Sequence, residues 1–239
     1  MSTLIIQADI VVKQKNDDLY IMLDLGSCTL ELEQESLELL PEKAIFWKQQ
    51  SALILSDVHL GKIAHFRKAG IAVPREAAVD SLGKLEKLVN SFPATDIYIL
   101  GDLFHSHKNE EWDHFVDFLY RNSHLQFHLV MGNHDILSTN EYDRIPMAIH
   151  PSTLELGPFI FSHEPLPNPA KFNIHGHIHP AVRISGKAKQ SIRLPCYYFT
   201  QSHGILPAFG KFTGNYTLDY KVADSVFLIT EERVLKLEL

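Results

Sequence analysis

Ala52-Leu53-Ile54-Leu55-Ser56 runs directly into Asp57-Val58-His59. An apolar run without alternation suits a strand buried on both faces, and such strands belong to parallel sheets. In open α/β sheets, ligands bind beyond the carboxyl ends of the strands. Asp57 and His59 stand at such an end. The arrangement recurs downstream: Asp96-Ile97-Tyr98-Ile99-Leu100 meets Gly101-Asp102, and Leu125 to Met131 meets Gly132-Asn133-His134-Asp135. Phe159-Ile160-Phe161 is followed by Ser162-His163, and Asn173-Ile174-His175 by Gly176-His177-Ile178-His179.

Helical patterns separate the first three of these strands. Pro74 to Asn90 opens on a proline suited to a first turn and repeats Ala78, Leu82, Leu85, Leu88 and Val89 at helical spacing. Asn109 to Arg121 has Asn109 as cap, Glu110 and Glu111 in its first turn, and an inward stripe of Trp112, Phe115, Val116 and Leu119. Upstream, Leu19-Tyr20-Ile21-Met22-Leu23 and Thr29-Leu30-Glu31-Leu32-Glu33 read as strands flanking a turn at Gly26, and Ala44-Ile45-Phe46-Trp47 as another. After residue 150 the helical pattern fades, and Arg193 to Thr200 and Val226 to Ile229 read as strands. The fold class is α/β: two packed sheets with helices outside, in one domain over residues 1–239.

Hydrophobic residues make up 45% of the 239, enough for a sizeable core and too many for disorder. No apolar run reaches the roughly 20 residues of a membrane-spanning helix. Met1 to Asp9 lacks the basic and apolar regions of a signal peptide, so a cytoplasmic protein with no membrane association is expected. Cys28 and Cys196 are far apart and read as small apolar residues. The net charge of −7 argues against a whole-surface affinity for nucleic acid. One stretch is locally basic: between Val58 and Arg75 there is no carboxylate, while Lys62, Arg67, Lys68 and Arg75 occur with His65. Directly after a ligand motif, it suits a phosphate backbone.

The five motifs supply mixed Asp, Asn and His donors, the set that two neighbouring divalent cations need. Two cations about 3.5–4 Å apart clamp the attacking and leaving oxygens of an in-line displacement. One carboxylate must bridge them and offset their repulsion, whereas imidazole and carboxamide add no charge. A water shared by both ions, acting as a bridging hydroxide, needs no side-chain base. No motif suffices alone; their conjunction in order at strand ends points to a two-metal hydrolase of phosphate esters. Mixed N/O donors suit manganese, iron, zinc or magnesium.

From Asp57 to about His179 the chain resembles the calcineurin-like binuclear metallophosphoesterases. The resemblance implies a four-layer α-β-β-α double β-sandwich. It implies that Asp57, His59 and His179 hold one ion, that Asp102 bridges, and that Asn133, His163 and His177 hold the other. His134 would sit free beside the scissile phosphate, stabilising the transition state or protonating the leaving oxygen, with Asp135 orienting its ring. Asp57-Val58-His59-Leu60-Gly61-Lys62, His65-Phe66-Arg67-Lys68-Ala69-Gly70, Gly101-Asp102-Leu103-Phe104-His105-Ser106 and Leu206-Pro207-Ala208-Phe209-Gly210 are similar to the bacterial ligase-associated DNA-damage-response endonucleases. That subfamily implies manganese-supported cleavage of a DNA substrate, with a DNA ligase, a nuclease and a helicase as partners. His107 stands where arginine is expected. Lys62, Arg67 and His105 are the expected contacts to substrate phosphates. A small-molecule phosphoesterase acting on nucleotides is the competing activity, and a non-catalytic scaffold a third. A homo-oligomer stays open.

Overall fold

The structure is a computed structural model describing residues 11–15, 18–22, 26–62, 70, 76–105, 108–185, 191–211 and 213–238. Arg67, with His65, Lys68, Arg75 and His107, lies outside the described residues. Val11–Lys15 (β1) and Asp18–Met22 (β2) form a separate antiparallel hairpin.

The first sheet takes its strands in chain order: β3 (Cys28–Leu32), β4 (Glu35–Leu39), β5 (Ile45–Trp47), β6 (Ala52–Leu55), β7 (Asp96–Leu100), β8 (Gln126–Val130) and β9 (Ala148–His150). Pairing is antiparallel up to β6 and parallel from β6 to β9. The second sheet runs β10 (Thr153–Leu156), β11 (Phe159–Ser162), β12 (Phe172–His175), β15 (His203–Ile205), β14 (Ser191–Phe199), β13 (Pro180–Ser185) and β16 (Tyr216–Thr217). β17 (Ser225–Ile229) pairs with β14 and with β18 (Val234–Lys236). Both sheets are mixed.

Side-chain alternation sorts these strands into three cores. On one face of the first sheet, Leu53, Leu55, Ile97, Ile99, Phe127 and Leu129 pack against α1 (Glu76–Ser91) and α2 (Glu110–Arg121) through Leu85, Leu88, Trp112 and Phe115. On the other face, Ile54, Tyr98, Leu100 and Val130 meet Phe159, Phe161, Ile174, Tyr197 and Phe227 of the second sheet. The expected sandwich of two sheets is therefore present. Among the described residues its helical cover is uneven: α1, α2 and the short α3 (Thr139–Tyr142) all contribute to the first sheet's outer core. The outer face of the second sheet carries a smaller cluster of Val182, Cys196, Tyr198, Val226 and Leu228, packed by Leu218 and Tyr220.

The predicted helices and buried strands appear within two residues of their expected bounds. Asn109 does cap α2, accepting from the Glu111 amide at 2.9 Å. Strands do flank a turn at Gly26, which is at positive φ. Among the described residues β3 takes its partner from downstream: it turns through Glu33 and Gln34, both at positive φ, to pair with β4. Two consecutive positive-φ residues suit the twist of a tight hairpin turn, and neither residue type advertises it. Among the described residues no helix is long and apolar enough to cross a membrane. Both cysteines are free thiols.

Trp47 joins the two sheets. It is fully buried, its ring lies 4.9 Å from that of Phe159 and 6.3 Å from that of Phe161, and its indole N–H donates to Glu35 Oε2 at 2.7 Å. Trp47→Ala should lower unfolding free energy by about 3–5 kcal/mol in urea titrations of the metal-free chain, through lost contacts and an unfilled cavity. A loss below about 1 kcal/mol would contradict its role in joining the sheets.

Candidate metal centre

The site is built where β6, β7 and β8 end. Past the last strand residues, backbone bonding continues from the β6 loop to the β7 loop. The Asp57 amide donates to Gly101 O, His59 to Asp102 O, Leu60 to Leu103 O, and His105 to Leu60 O, all between 2.8 and 3.0 Å. Two loops zipped in this way hold Asp57, His59 and Asp102 in one fixed relation. The turns demand unusual backbone. Of the ten described non-glycine residues at positive φ, five are Asp57, His59, Asp102, His177 and His179. Such conformations cost on the order of 1–3 kcal/mol each and persist where the surroundings over-determine them. Gly101 is also at positive φ, and a Cβ there would overlap the His163 ring.

Two groups of donors result. In the first, His179 Nε2 is 3.0 Å from Asp57 Oδ1 and His59 Nε2 is 3.9 Å from the same oxygen. In the second, His163 Nε2 lies 3.3 Å from Asp102 Oδ1, 3.1 Å from Asn133 Oδ1 and 3.2 Å from His177 Nδ1. Asp102 faces both groups: its Oδ2 is 3.7 Å from His59 Nε2 while Oδ1 serves the second. Asp57 likewise belongs to both possible ligand groups. All seven expected metal-site residues therefore converge.

The neighbouring bonds set which ring nitrogens face inward. His163 Nδ1–H donates to Leu100 O at 3.0 Å, and His179 Nδ1–H donates to Gly214 O at 2.9 Å. In each ring Nε2 is left to the site, the arrangement metal-ligating imidazoles generally show. His59 is buried with both ring nitrogens unpartnered, and burial pushes its pKa down to about 3, against the raising effect of Asp57 and Asp102. A neutral imidazole with an orphaned lone pair at 3.7 Å from one carboxylate and 3.9 Å from another fits a cation between them. Burial would raise Asp102, but its bond to His163 and the His134 amide hold it down to about 2. Burial would lower His163, but the bond to Asp102 and the charges of Asp57 and Asp102 push it up to about 9. The donor set fits two divalent cations.

The other expected site residues divide. The His134 ring hydrogen-bonds no described side chain; its centroid lies 4.3 Å from that of His105 and 5.7 Å from that of His59. The Asp135 carboxylate is not turned to that ring. It accepts from the Asp102 amide at 2.9 Å, Phe104 at 3.1 Å and Gly132 at 2.8 Å, tying the β7 loop to the β8 loop. Burial pushes its pKa up to about 6 despite those bonds. Lys62 is half-buried; burial lowers its pKa, while the nearby Asp102 and Asp57 carboxylates oppose this. His175 is buried, its Nδ1–H donating to Gly176 O at 3.0 Å. Sequence reasoning missed Glu111, whose Oε2 accepts from the Gly61 amide at 2.7 Å. Its place in a helix's first turn gave it an ordinary explanation.

Residues 51–224 match the family model for calcineurin-like phosphoesterases. The chain belongs to that family. Among solved structures, this phosphoesterase is similar to the crystal structure of the Pseudomonas putida nuclease MPE, with 28% identity and a TM-score of 0.76, over 88% of this chain and 100% of that one. No curated protein matches it in sequence.

The raised pKa of His163 gives this phosphoesterase a measurable property. Its stabilising effect on the metal-free fold is complete below the ordinary 6.5 and is lost as pH rises through about 9. A cation taking Nε2 must displace that proton. Manganese uptake at about pH 7.5 should release on the order of one proton per chain. Calorimetry in two buffers of different ionisation enthalpy reads this, and identical apparent enthalpies in both would contradict it.

Proposed function

We propose that this phosphoesterase is a metal-dependent DNA endonuclease acting in repair. The observation that carries the two-metal reading is the disposition of Asp102, one carboxylate oxygen toward each group of donors. Asp57, His59 and His179 would hold one cation, Asn133, His163 and His177 the other, and Asp102 both. Two divalent cations there supply Lewis acidity toward phosphoryl oxygens and lower the pKa of a water. Manganese suits the mixed donor set and the proposed subfamily.

The protein's own groups do the rest. The His134 ring, 5.7 Å from that of His59 and bonded to no described side chain, would donate a ring N–H to the leaving oxygen as the P–O bond breaks. His105 and Lys62 line the same rim and would contact phosphate oxygens, and Arg67 belongs to the basic stretch that follows. Asp135 acts on the reaction by positioning the Asp102 and Gly132 loops. DNA is favoured as substrate by the similarity to the P. putida nuclease across nearly the whole fold. The subfamily resemblance supports a reading in which a ligase, a nuclease and a helicase would be its partners in repair. The net charge of −7 favours instead a small nucleotide ester.

Manganese-loaded protein should nick or cleave gapped duplex DNA at low salt, with turnover of nucleotide pyrophosphates and cyclic nucleotides far slower. Intact DNA beside rapid nucleotide turnover would overturn the endonuclease reading. His134→Ala should lower turnover at least ~100-fold with metal content unchanged. Full activity in that variant would remove His134 from the chemistry.

A further inference from the structure

The run Leu206 to Gly210 and the residues after it touch the site from behind. The Leu206 amide donates to His175 O at 2.8 Å, Phe209 to Ser56 O at 2.9 Å and Gly210 to Asp57 O at 3.0 Å. Thr213 Oγ1 then donates to Gly210 O at 3.1 Å. Gly214 O receives the His179 Nδ1 proton, and the Tyr216 amide donates to His179 O at 2.9 Å. One strap therefore supports Asp57 from its backbone and fixes the tautomer of His179. Its approach is close: a Cβ on Gly210 would overlap the Val58 carbonyl.

A side chain from the helical layer grips this strap. Lys84 on α1 donates through Nζ to Phe209 O at 2.6 Å, and the same ammonium lies 3.6 Å from the centroid of the Phe209 ring. Phe209 is fully buried and Lys84 is half-buried, so the contact is shielded from bulk water. The carbonyl held by Lys84 belongs to the peptide whose N–H bonds Asp57 O. Polarising that carbonyl strengthens the N–H as a donor. Both ends of the peptide are thereby fixed, one by the helix and one by the loop that carries Asp57.

We propose that Lys84 is a positioning residue for the metal centre, acting through the Phe209–Gly210 peptide on Asp57 and through the strap on His179. In this role it would touch neither substrate nor cation. The proposal rests on the two-metal reading above and adds to it a residue remote from every ligand motif. Outer partners of metal ligands typically govern 10–100-fold in metal affinity.

The test uses the full chain with Lys84→Met and Lys84→Arg. Manganese affinity is read from free Mn2+ by electron paramagnetic resonance, and amide hydrogen exchange is read on the metal-free proteins. Lys84→Met should bind manganese at least ~10-fold more weakly. Its exchange should be faster at Phe209 and Gly210, while amides of β6 and β7 stay protected. Lys84→Arg, still able to donate to the carbonyl, should recover most of both. At saturating manganese the KM of Lys84→Met for a phosphodiester should equal that of the wild type. Unchanged exchange at Phe209 and Gly210 overturns the proposal. So does a raised KM for DNA at unchanged manganese affinity, which would make Lys84 a substrate contact. If Lys84→Met exchanges throughout the core, Lys84→Leu, which also lacks a donor and keeps an apolar stem beside the Phe209 ring, replaces it and the same criteria apply. A wild type that binds no manganese defeats the two-metal reading, and the exchange comparison then decides the strap alone.

Discussion

Lone pairs crowd one another at the mouth of the parallel strands. His163 Nε2 faces oxygens of Asp102 and Asn133 and a nitrogen of His177, all within 3.3 Å, and His59 brings two more unpartnered nitrogens to the same buried space. Acceptors do not gather in this way without positive charge between them. Protons can supply part of it, as the raised pKa of His163 indicates, and divalent cations can supply more. The rest of the structure follows from keeping these groups together. Left-handed backbone at five of the seven candidate ligands, loops zipped beyond their strands, and Asp135 spanning two loops each oppose a relaxation that would disperse the donors.

The two sheets provide the rigidity this requires. Parallel pairing of β6, β7 and β8 brings three strand ends to one rim, so residues far apart in the chain meet without long loops. The second sheet brings His163, His177 and His179 to the same rim from β11 and the turn after β12. The interlocked aromatic core, with Trp47 against Phe159 and Phe161, fixes how the two rims face each other. Ligand geometry is set by packing well away from the ligands.

Much of this was legible because the signals were local. A run such as Ala52 to Ser56 can hardly be other than a buried strand, and its polar successor marks the strand end. The Asn109 cap and the Trp112 stripe announced α2 in the same way. What escaped reading depended on distant partners. The turn at Glu33 and Gln34 is set by pairing with β4 rather than by residue type. The resemblance gave Asp135 the His134 ring as partner, yet its oxygens accept from amides of the β7 loop and from Gly132. Lys84 carries no motif, and its contact with Phe209 spans a sequence separation of 125 residues.

The central claim is that Asp102 lies between two cations. Anomalous scattering from crystals soaked in manganese tests it most directly. The account predicts two peaks about 3.5–4 Å apart, one on each side of the Asp102 carboxylate. A single peak, or peaks away from Asp102, would contradict it.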